Sequence, residues 1–160
     1  MCEKVYVTDV LCAIAKGYET GDFGSLFPYL AKDCVFESQW VRQPNNGCDE
    51  VVAYLEGKGR TLRRNRCFAK AFIVKLRGNG NPVAAGVSVN GAPEERAKVS
   101  LWYPDGEHCL LLRQELPEET VELIVRVQLQ NDKVARIDLC MPELFRYDVV
   151  LATDDIANNA

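Results

Sequence analysis

The stretch from Ala15 to Trp40 constrains the fold of this chain more than any other segment. Its pattern is that of a helix, a break at Gly21-Asp22, a second short helix, a stop at Asp33 and then a strand. Helices at the amino end that lead into a series of strands are typical of α+β domains. The sequence therefore predicts helices packed on a sheet.

Three amphipathic helices are predicted before the strands begin to dominate. Apolar residues recur at near-helical spacing over residues 4–19, which predicts the first helix. Gly21 suits the positive φ of a helix C-terminus, and Asp22 can cap a short second helix that runs to Leu30. The third helix opens at Cys48 and gives way to alternating patterns near residue 66.

The rest of the chain has the alternation of strands. The predicted strands cover residues 34–41, 68–74, 83–89, 99–103, 108–116, 122–129 and 134–141, with turns at Asn90-Gly91, Pro104-Asp105-Gly106 and Asn131-Asp132. Consecutive segments in meander order favour a curved, mostly antiparallel sheet. We expect one domain over residues 1–147, with the three helices on the concave side, and a polar tail that frays over residues 148–160.

The composition argues against some partners. The chain has 160 residues and a formal net charge of −4, whereas nucleic acids and anionic membranes attract a basic surface. The basic run from Lys58 to Arg66 suits the solvated C-terminal end of a helix, with an anion-binding patch as the alternative. No apolar run reaches the roughly 18 residues of a membrane span, and the amino end lacks the order of a signal peptide. We therefore expect a cytosolic protein.

Metal sites and redox motifs are not predicted. The seven cysteines include no C-x-x-C pair, which argues against a zinc knuckle and a thioredoxin-type motif. The single histidine, His108, excludes a site that needs two imidazoles. Its place after Pro-Asp-Gly favours an exposed residue at a hairpin tip. We expect neither a metal nor a cofactor.

The helix, Gly-Asp, helix and strand order of residues 15–40 resembles the opening of the nuclear transport factor 2-like superfamily. The stretch from Lys133 to Leu139 is similar to the last strand of the same proteins. The resemblance implies a cone in which helices wrap one curved sheet around a pocket. Within the superfamily, the opening looks most like the steroid isomerases and the SnoaL-like polyketide cyclases.

The resemblance also implies that steroid isomerase chemistry is absent. That chemistry needs a carboxylate base and strong donors for the enolate oxygen. The base aspartate of the isomerases falls on Ser38, the donor tyrosine on Ile14, and the donor aspartate on or next to Val125. A serine hydroxyl does not abstract such a proton unaided, and the two apolar side chains donate nothing. The catalytic residues therefore stay unassigned.

Other enzymes of the superfamily activate water with an Asp–Arg–Asp set or use a His–Asp pair. The candidates here are Glu37, Arg126 and Asp138. Strand alternation places all three opposite the apolar faces of their strands. We expect them on the outer face of the sheet, in solvent or at a subunit contact.

The inner face is expected to be apolar and aromatic, which suits a hydrophobic small molecule. The side chains expected to line this pocket are Tyr18, Phe36, Ser38, Trp40, Tyr54, Val125, Val127, Ile137 and Leu139, with Phe72 on the same side. Two alternatives stay open. One is an enzyme, a lyase, isomerase or hydrolase acting on a hydrophobic cyclic substrate, if Glu37, Asp138 or Asp33 turns inward. The other is a dimeric interaction module with a filled core.

The assembly expected from the sequence is a homodimer formed through the outer sheet face. Leu110, Leu111 and Leu112 are consecutive in one strand, so that each face of the strand carries a leucine. An apolar patch on the outer face needs a cover, and a twofold partner supplies one. The competing explanation is that the carboxy-terminal segment from residue 144 to residue 151 covers the same leucine within one chain.

Overall fold

The computed structural model describes residues 4–39, 43–77, 106–142, 145 and 147–152. These residues form two α-helices, one 3-10 helix and one seven-stranded sheet. The helices are α1 (Val7–Thr20), the 3-10 helix (Phe27–Tyr29) and α2 (Cys48–Asn65). The strands are β1 (Leu30–Ser38), β2 (Asn45–Asn46), β3 (Lys70–Leu76), β4 (His108–Glu115), β5 (Thr120–Gln130), β6 (Lys133–Cys140) and β7 (Tyr147–Ala152).

Helix α1 ends where its sequence predicts, but it begins at Val7, three residues later than expected. The carboxylate of Asp9 accepts the backbone N–H of Tyr6 at 3.1 Å, which satisfies a donor that the helix itself leaves unpaired. At the other end Gly21 has a φ of 81°, and its N–H donates to the carbonyl of Gly17 at 2.7 Å. Glycine adopts this left-handed conformation without strain, so the predicted helix end at Gly21 is confirmed.

The predicted second helix is only the 3-10 helix Phe27–Tyr29, so two α-helices are found where three were expected. The Asp22 carboxylate accepts the N–H of Gly24 at 2.8 Å, which closes a local turn instead of capping an α-helix. Leu30 already has extended dihedrals and opens β1. Asp33 therefore lies within a strand and does not end a helix.

Helix α2 packs very closely on the end of α1. Val51, Leu55 and Leu62 are buried along one side of α2. Gly59 lies on the same side, and a Cβ atom there would come within 2.2 Å of the Gly21 carbonyl oxygen. A glycine is required at this crossing because a side chain would displace the backbone of the α1–β1 connection.

The sheet has the order β2-β1-β6-β5-β4-β3-β7. Only β1 and β6 run parallel among the pairs in the described part of the chain. The predicted turn between β5 and β6 is confirmed, with φ values of 54° at Asn131 and 59° at Asp132. The curved, mostly antiparallel sheet of an α+β fold is therefore present. The strands predicted over residues 83–89 and 99–103, and the turn at Asn90-Gly91, lie outside the described residues.

Two apolar clusters lie on the two sides of the sheet. The inner face carries α1 and α2, and its cluster joins helix residues such as Leu11 and Leu55 to Leu110, Val125 and Ile137 of the sheet. The opposite side, called the outer face here, has a smaller cluster. Its buried members are Val74, Leu76, Cys109, Leu111, Ile124, Cys140 and Phe145. Within the described residues, no helix is long and apolar enough to span a membrane.

The expectation of a polar tail from residue 148 onward is wrong for its first five residues. Tyr147–Ala152 form β7, which pairs antiparallel with β3 at the edge of the sheet. Leu111, on the outer face, is only 1% exposed and shares a cluster with Phe145 and Tyr147. The carboxy-terminal segment thus covers the leucine from which we inferred a dimer. The homodimer itself stays a prediction.

Candidate ligand site

Most side chains expected to line the pocket are brought together on the inner face, but within a packed core. Phe36, Val125, Val127, Ile137 and Leu139 are all buried in the inner cluster. Their strands are in direct register: Phe36 is opposite Ile137 across β1 and β6, and Val125 is opposite Leu139 across β5 and β6. These five side chains fill space between the sheet and the helices.

The remaining predicted residues are placed differently. Tyr18 and Ser38 are buried, and Tyr54 is half-buried, with its ring centroid 5.1 Å from that of Phe36. Trp40 lies outside the described residues. The expectation that Phe72 lies on the inner side is wrong, because Phe72 packs against the outer cluster beneath the guanidinium of Arg113. Its position follows from alternation in β3, in which Ala71 and Ile73 are the inward residues.

A small cavity of about 80 Å³ lies where α1 and α2 meet one end of the inner face. It is lined by Tyr18, Lys58, Leu62, Ala69, Leu112, Gln114, Val121 and Leu123. Its walls are largely apolar, with a hydroxyl, an ammonium and an amide as polar groups. Of the pocket residues predicted in the described part of the chain, only Tyr18 lines this cavity.

Tyr18, which lines the cavity, carries a buried hydroxyl. The residue is 4% exposed, and within the described structure its hydroxyl has no hydrogen-bond partner. A buried tyrosine hydroxyl normally finds a partner, and leaving one unpaired costs roughly 1–3 kcal/mol. Burial also raises the pKa of Tyr18, so the hydroxyl stays protonated and able to donate.

Lys58 supplies a positive charge to the same cavity. Its Nζ lies 5.4 Å from the ring centroid of Tyr18 and 5.9 Å from that of Tyr54. Burial lowers the pKa of the Lys58 ammonium, and no carboxylate in the described part of the chain forms an ion pair with it. The two aromatic faces stabilise the cation only in part.

Gln114 is held in place at the rim of the cavity. Its Nε2 donates to the backbone carbonyl of Cys67 at 2.7 Å. The neighbouring backbone is fixed as well, because the N–H of Ala69 donates to the carbonyl of Tyr18 at 3.0 Å. The cavity is therefore bounded by atoms that are already positioned by hydrogen bonds.

Glu37, Arg126 and Asp138 lie on the outer face, as strand alternation predicts, but the expectation that they are solvated is wrong. Their exposed fractions are 5%, 4% and 2%. Ion pairs allow this burial. Arg136 pairs with Glu37, and its Nε lies 2.9 Å and 3.0 Å from the two Asp138 carboxylate oxygens. Arg126 binds Glu107 in a bidentate pair at 2.8 Å and 3.0 Å.

This ionic cluster does not belong to the inner cavity. None of its members lines that cavity, so a water-activating set inside the pocket is not formed by Glu37, Arg126 and Asp138. His108 is a partner of Lys75 across β3 and β4 and is half-buried, not exposed at a hairpin tip. Within the described residues, no group of His, Cys, Asp or Glu side chains is arranged to hold a metal ion.

Lys58 was missed as a site residue because it belongs to a run of cations. The run suggested a solvated helix end, and the other members are exposed: Arg60, Arg63, Arg64 and Arg66. The spacing of the apolar residues of α2, however, indicates that Lys58 lies on the buried side of the helix. It lies three residues after Leu55 and four before Leu62, on the buried side of α2.

No protein-family model and no curated protein matches the chain. Solved structures are similar to it in fold. An NTF2-like protein of unknown function from Cytophaga hutchinsonii shares 11% identity, with 92% of this chain and 95% of that chain covered and a TM-score of 0.47. A steroid delta-isomerase from Pseudomonas aeruginosa shares 12% identity, with 96% and 89% covered and a TM-score of 0.46.

A third similar structure is the orange carotenoid protein of Anabaena, solved with canthaxanthin. It shares 13% identity over 90% of this chain and 39% of that chain, with a TM-score of 0.46. The likeness is one of fold, and a fold of this kind hosts proteins with different activities.

Proposed function

We propose that this protein binds a small, largely apolar molecule in the cavity between α1, α2 and the inner face. The observation that carries the proposal is that Tyr18 lines this cavity and that its buried hydroxyl has no hydrogen-bond partner in the described structure. A ligand with one polar atom would satisfy the hydroxyl while its apolar part contacts Leu62, Leu112 and Leu123.

The size of the cavity limits the ligand. Engineered protein cavities of about 150 Å³ bind benzene, and pockets for drug-sized ligands hold about 300–1,000 Å³. A cavity of about 80 Å³ accepts a group of only a few carbons. We therefore propose a short aliphatic molecule, or the short end of a longer one.

The same proposal excludes steroid isomerase-type chemistry. The resemblance puts the isomerase donors at Ile14 and on or next to Val125, which are both buried apolar residues, and the carboxylate base at Ser38. The enzyme alternative requires a carboxylate in the pocket. Glu37 and Asp138 are committed to ion pairs on the outer face, and Asp33 is exposed. Binding without this chemistry is the simpler function.

The proposal is tested with 3-methyl-1-butanol as a neutral probe. We expect the alcohol to raise the melting temperature of the unaltered protein relative to a Val121→Phe variant, because the phenyl ring fills the cavity and ligand binding stabilises the folded state. Thr120→Phe is the matched control, since Thr120 is exposed and precedes Val121 on the opposite face of β5. An alcohol effect that is identical in all three proteins contradicts the proposal.

A dimeric interaction module is the second candidate, and the close packing of the inner cluster favours it. The outer face has an open depression of about 530 Å³ lined by Thr120, Glu122, Pro142, Phe145 and Tyr147. Val149 of β7 is also exposed. Sedimentation equilibrium at micromolar concentration is expected to give twice the chain mass of 17.9 kDa if this face forms the predicted homodimer. A mass near 17.9 kDa contradicts it. The cytosolic location also stays a prediction.

A further inference from the structure

We infer that the ligand of the Tyr18–Lys58 cavity is a monocarboxylate with a short aliphatic tail, bound through its carboxylate by Lys58 and Tyr18. The inference rests on the proposed function and names the chemical class of its ligand. The charge of the cavity, its donor groups and its size support it.

The first argument is the charge balance of the cavity. Lys58 brings an ammonium to a largely apolar wall, and no described carboxylate compensates it. Lys58 is half-buried, and taking a cation even partly out of water is costly unless an anion or hydrogen-bond acceptors replace the water. The rings of Tyr18 and Tyr54 offset only part of that cost. A bound anion would offset much more.

The second argument is that the cavity offers donors in excess of acceptors. The Tyr18 hydroxyl is held protonated by burial, so it donates. The Lys58 ammonium has three N–H groups and accepts nothing. A carboxylate is a negatively charged acceptor with two oxygens, whereas a neutral amide leaves the ammonium uncompensated.

The charge and the volume of the cavity also limit the charge and the size of its ligand. One lysine lines the cavity, and the arginines Arg60 and Arg63 line a separate surface depression beside Gly21. A single cation matches a monoanion better than a phosphate ester. A volume of about 80 Å³ leaves room for a tail of roughly four carbons among Leu62, Leu112 and Leu123.

The test compares 3-methylbutanoate with 3-methylbutanamide by isothermal titration calorimetry on the full chain. The two probes have the same shape, and they differ in charge. We expect the acid to bind at least about tenfold more tightly than the amide, as a charge-assisted hydrogen bond predicts. Lys58→Met should remove this preference, and Tyr18→Phe should weaken acid binding several-fold.

Two further variants separate the role of the Lys58 charge from folding defects and from the general charge of α2. Lys58→Arg retains the charge and should retain a preference for the acid even if Lys58→Met folds poorly. Arg64→Met removes a neighbouring exposed cation from the same helix and should leave both affinities unchanged. A loss of acid binding in Arg64→Met that equals the loss in Lys58→Met would indicate attraction by the general charge of the helix and would overturn the inference.

The outcomes separate the inference from the proposed function. Equal affinities for acid and amide, both lost in Val121→Phe, would overturn the carboxylate and leave the small-molecule cavity standing. No binding of the acid, the amide or 3-methyl-1-butanol would overturn both. Tighter binding of the acid that depends on Lys58 supports both.

Discussion

At the scale of single residues, Asp138 shows that burying an ionised carboxylate on the outer face lowers the stability of the folded state. Burial raises the pKa of Asp138, while Arg136 acts in the opposite direction and does not fully compensate. The folded state therefore holds the Asp138 proton more tightly than the unfolded chain. The stability contributed by this group is fully present below its ordinary pKa of 3.8 and is lost as the pH rises through the folded pKa.

An Asp138→Asn variant isolates this effect because asparagine does not titrate. We expect the free energy of unfolding of the unaltered protein to fall, relative to that of the variant, as the pH rises from 4 to 7. Urea denaturation at each pH measures the difference. Asp33→Asn, at an exposed position of β1, is the control for loss of a carboxylate on the surface. A difference of the opposite sign for Asp138→Asn would contradict the assigned burial cost.

Single residues also show where the sequence was informative about the site. Tyr18 was predicted as a site residue because it follows the apolar side of α1. The cavity beside it is also lined by Leu112 and Leu123, which come from β4 and β5, about a hundred positions away. No local pattern reports which polar atoms such distant contacts leave without partners.

At the scale of elements, two glycines of α2 differ in how much space a side chain would have. A Cβ atom at Gly59 would lie 2.2 Å from the Gly21 carbonyl oxygen, which belongs to the backbone. At Gly57 the nearest atom is the Arg60 Nη2 at 3.6 Å, an ordinary contact with a flexible side chain. The same substitution should therefore have opposite effects two residues apart.

Gly57→Ala is expected to stabilise the protein by up to about 1 kcal/mol, because alanine favours the helix over glycine. Gly59→Ala gains the same helix propensity but forces the crossing apart, with an expected net loss of about 1–3 kcal/mol. Chemical denaturation of both variants at pH 7 measures the two free energies of unfolding. Equal stability of the two variants would show that α2 does not approach Gly21 so closely.

The elements that sequence patterns predicted well are those with one dominant local signal. Helix α1 has an apolar stripe and a terminal glycine, and the β5–β6 hairpin has an Asn-Asp turn between alternating strands. The second helix was overpredicted because Asp22 forms a local turn with Gly24. β7 was missed although Val149 and Val150 are β-branched, since the acidic end of the chain dominated the prediction.

At the scale of the whole molecule, the sequence predicted the class of fold better than the long-range strand pairing and the position of the cavity. Helices followed by a meander predict an α+β sheet, and the observed order from β3 to β6 agrees. The parallel pairing of β1 with β6 joins residues about a hundred positions apart, so it depends on packing of the complete domain. The same holds for the cavity, which exists where side chains from four elements leave space unfilled.

The packing of the whole domain also separates two kinds of buried polar group. On the outer face, Arg126 forms an ion pair with Glu107 and Arg136 forms one with Asp138, although the Asp138 Oδ1 atom lacks a hydrogen-bond partner. Beside the inner cavity, the Tyr18 hydroxyl has no hydrogen-bond partner and the Lys58 ammonium has no carboxylate partner among the described residues. Paired groups stabilise a structure, whereas unpaired groups beside a cavity are suited to a ligand.

The most direct test of small-molecule binding is a methyl NMR titration of leucine-labelled protein with 3-methyl-1-butanol. Saturable shifts are expected for the methyl groups of Leu62, Leu112 and Leu123, which line the cavity. The methyl groups of Leu76 and Leu111, in the outer cluster, should not move. Shifts confined to the outer cluster, or no saturable shift at the three cavity leucines, would contradict the central claim.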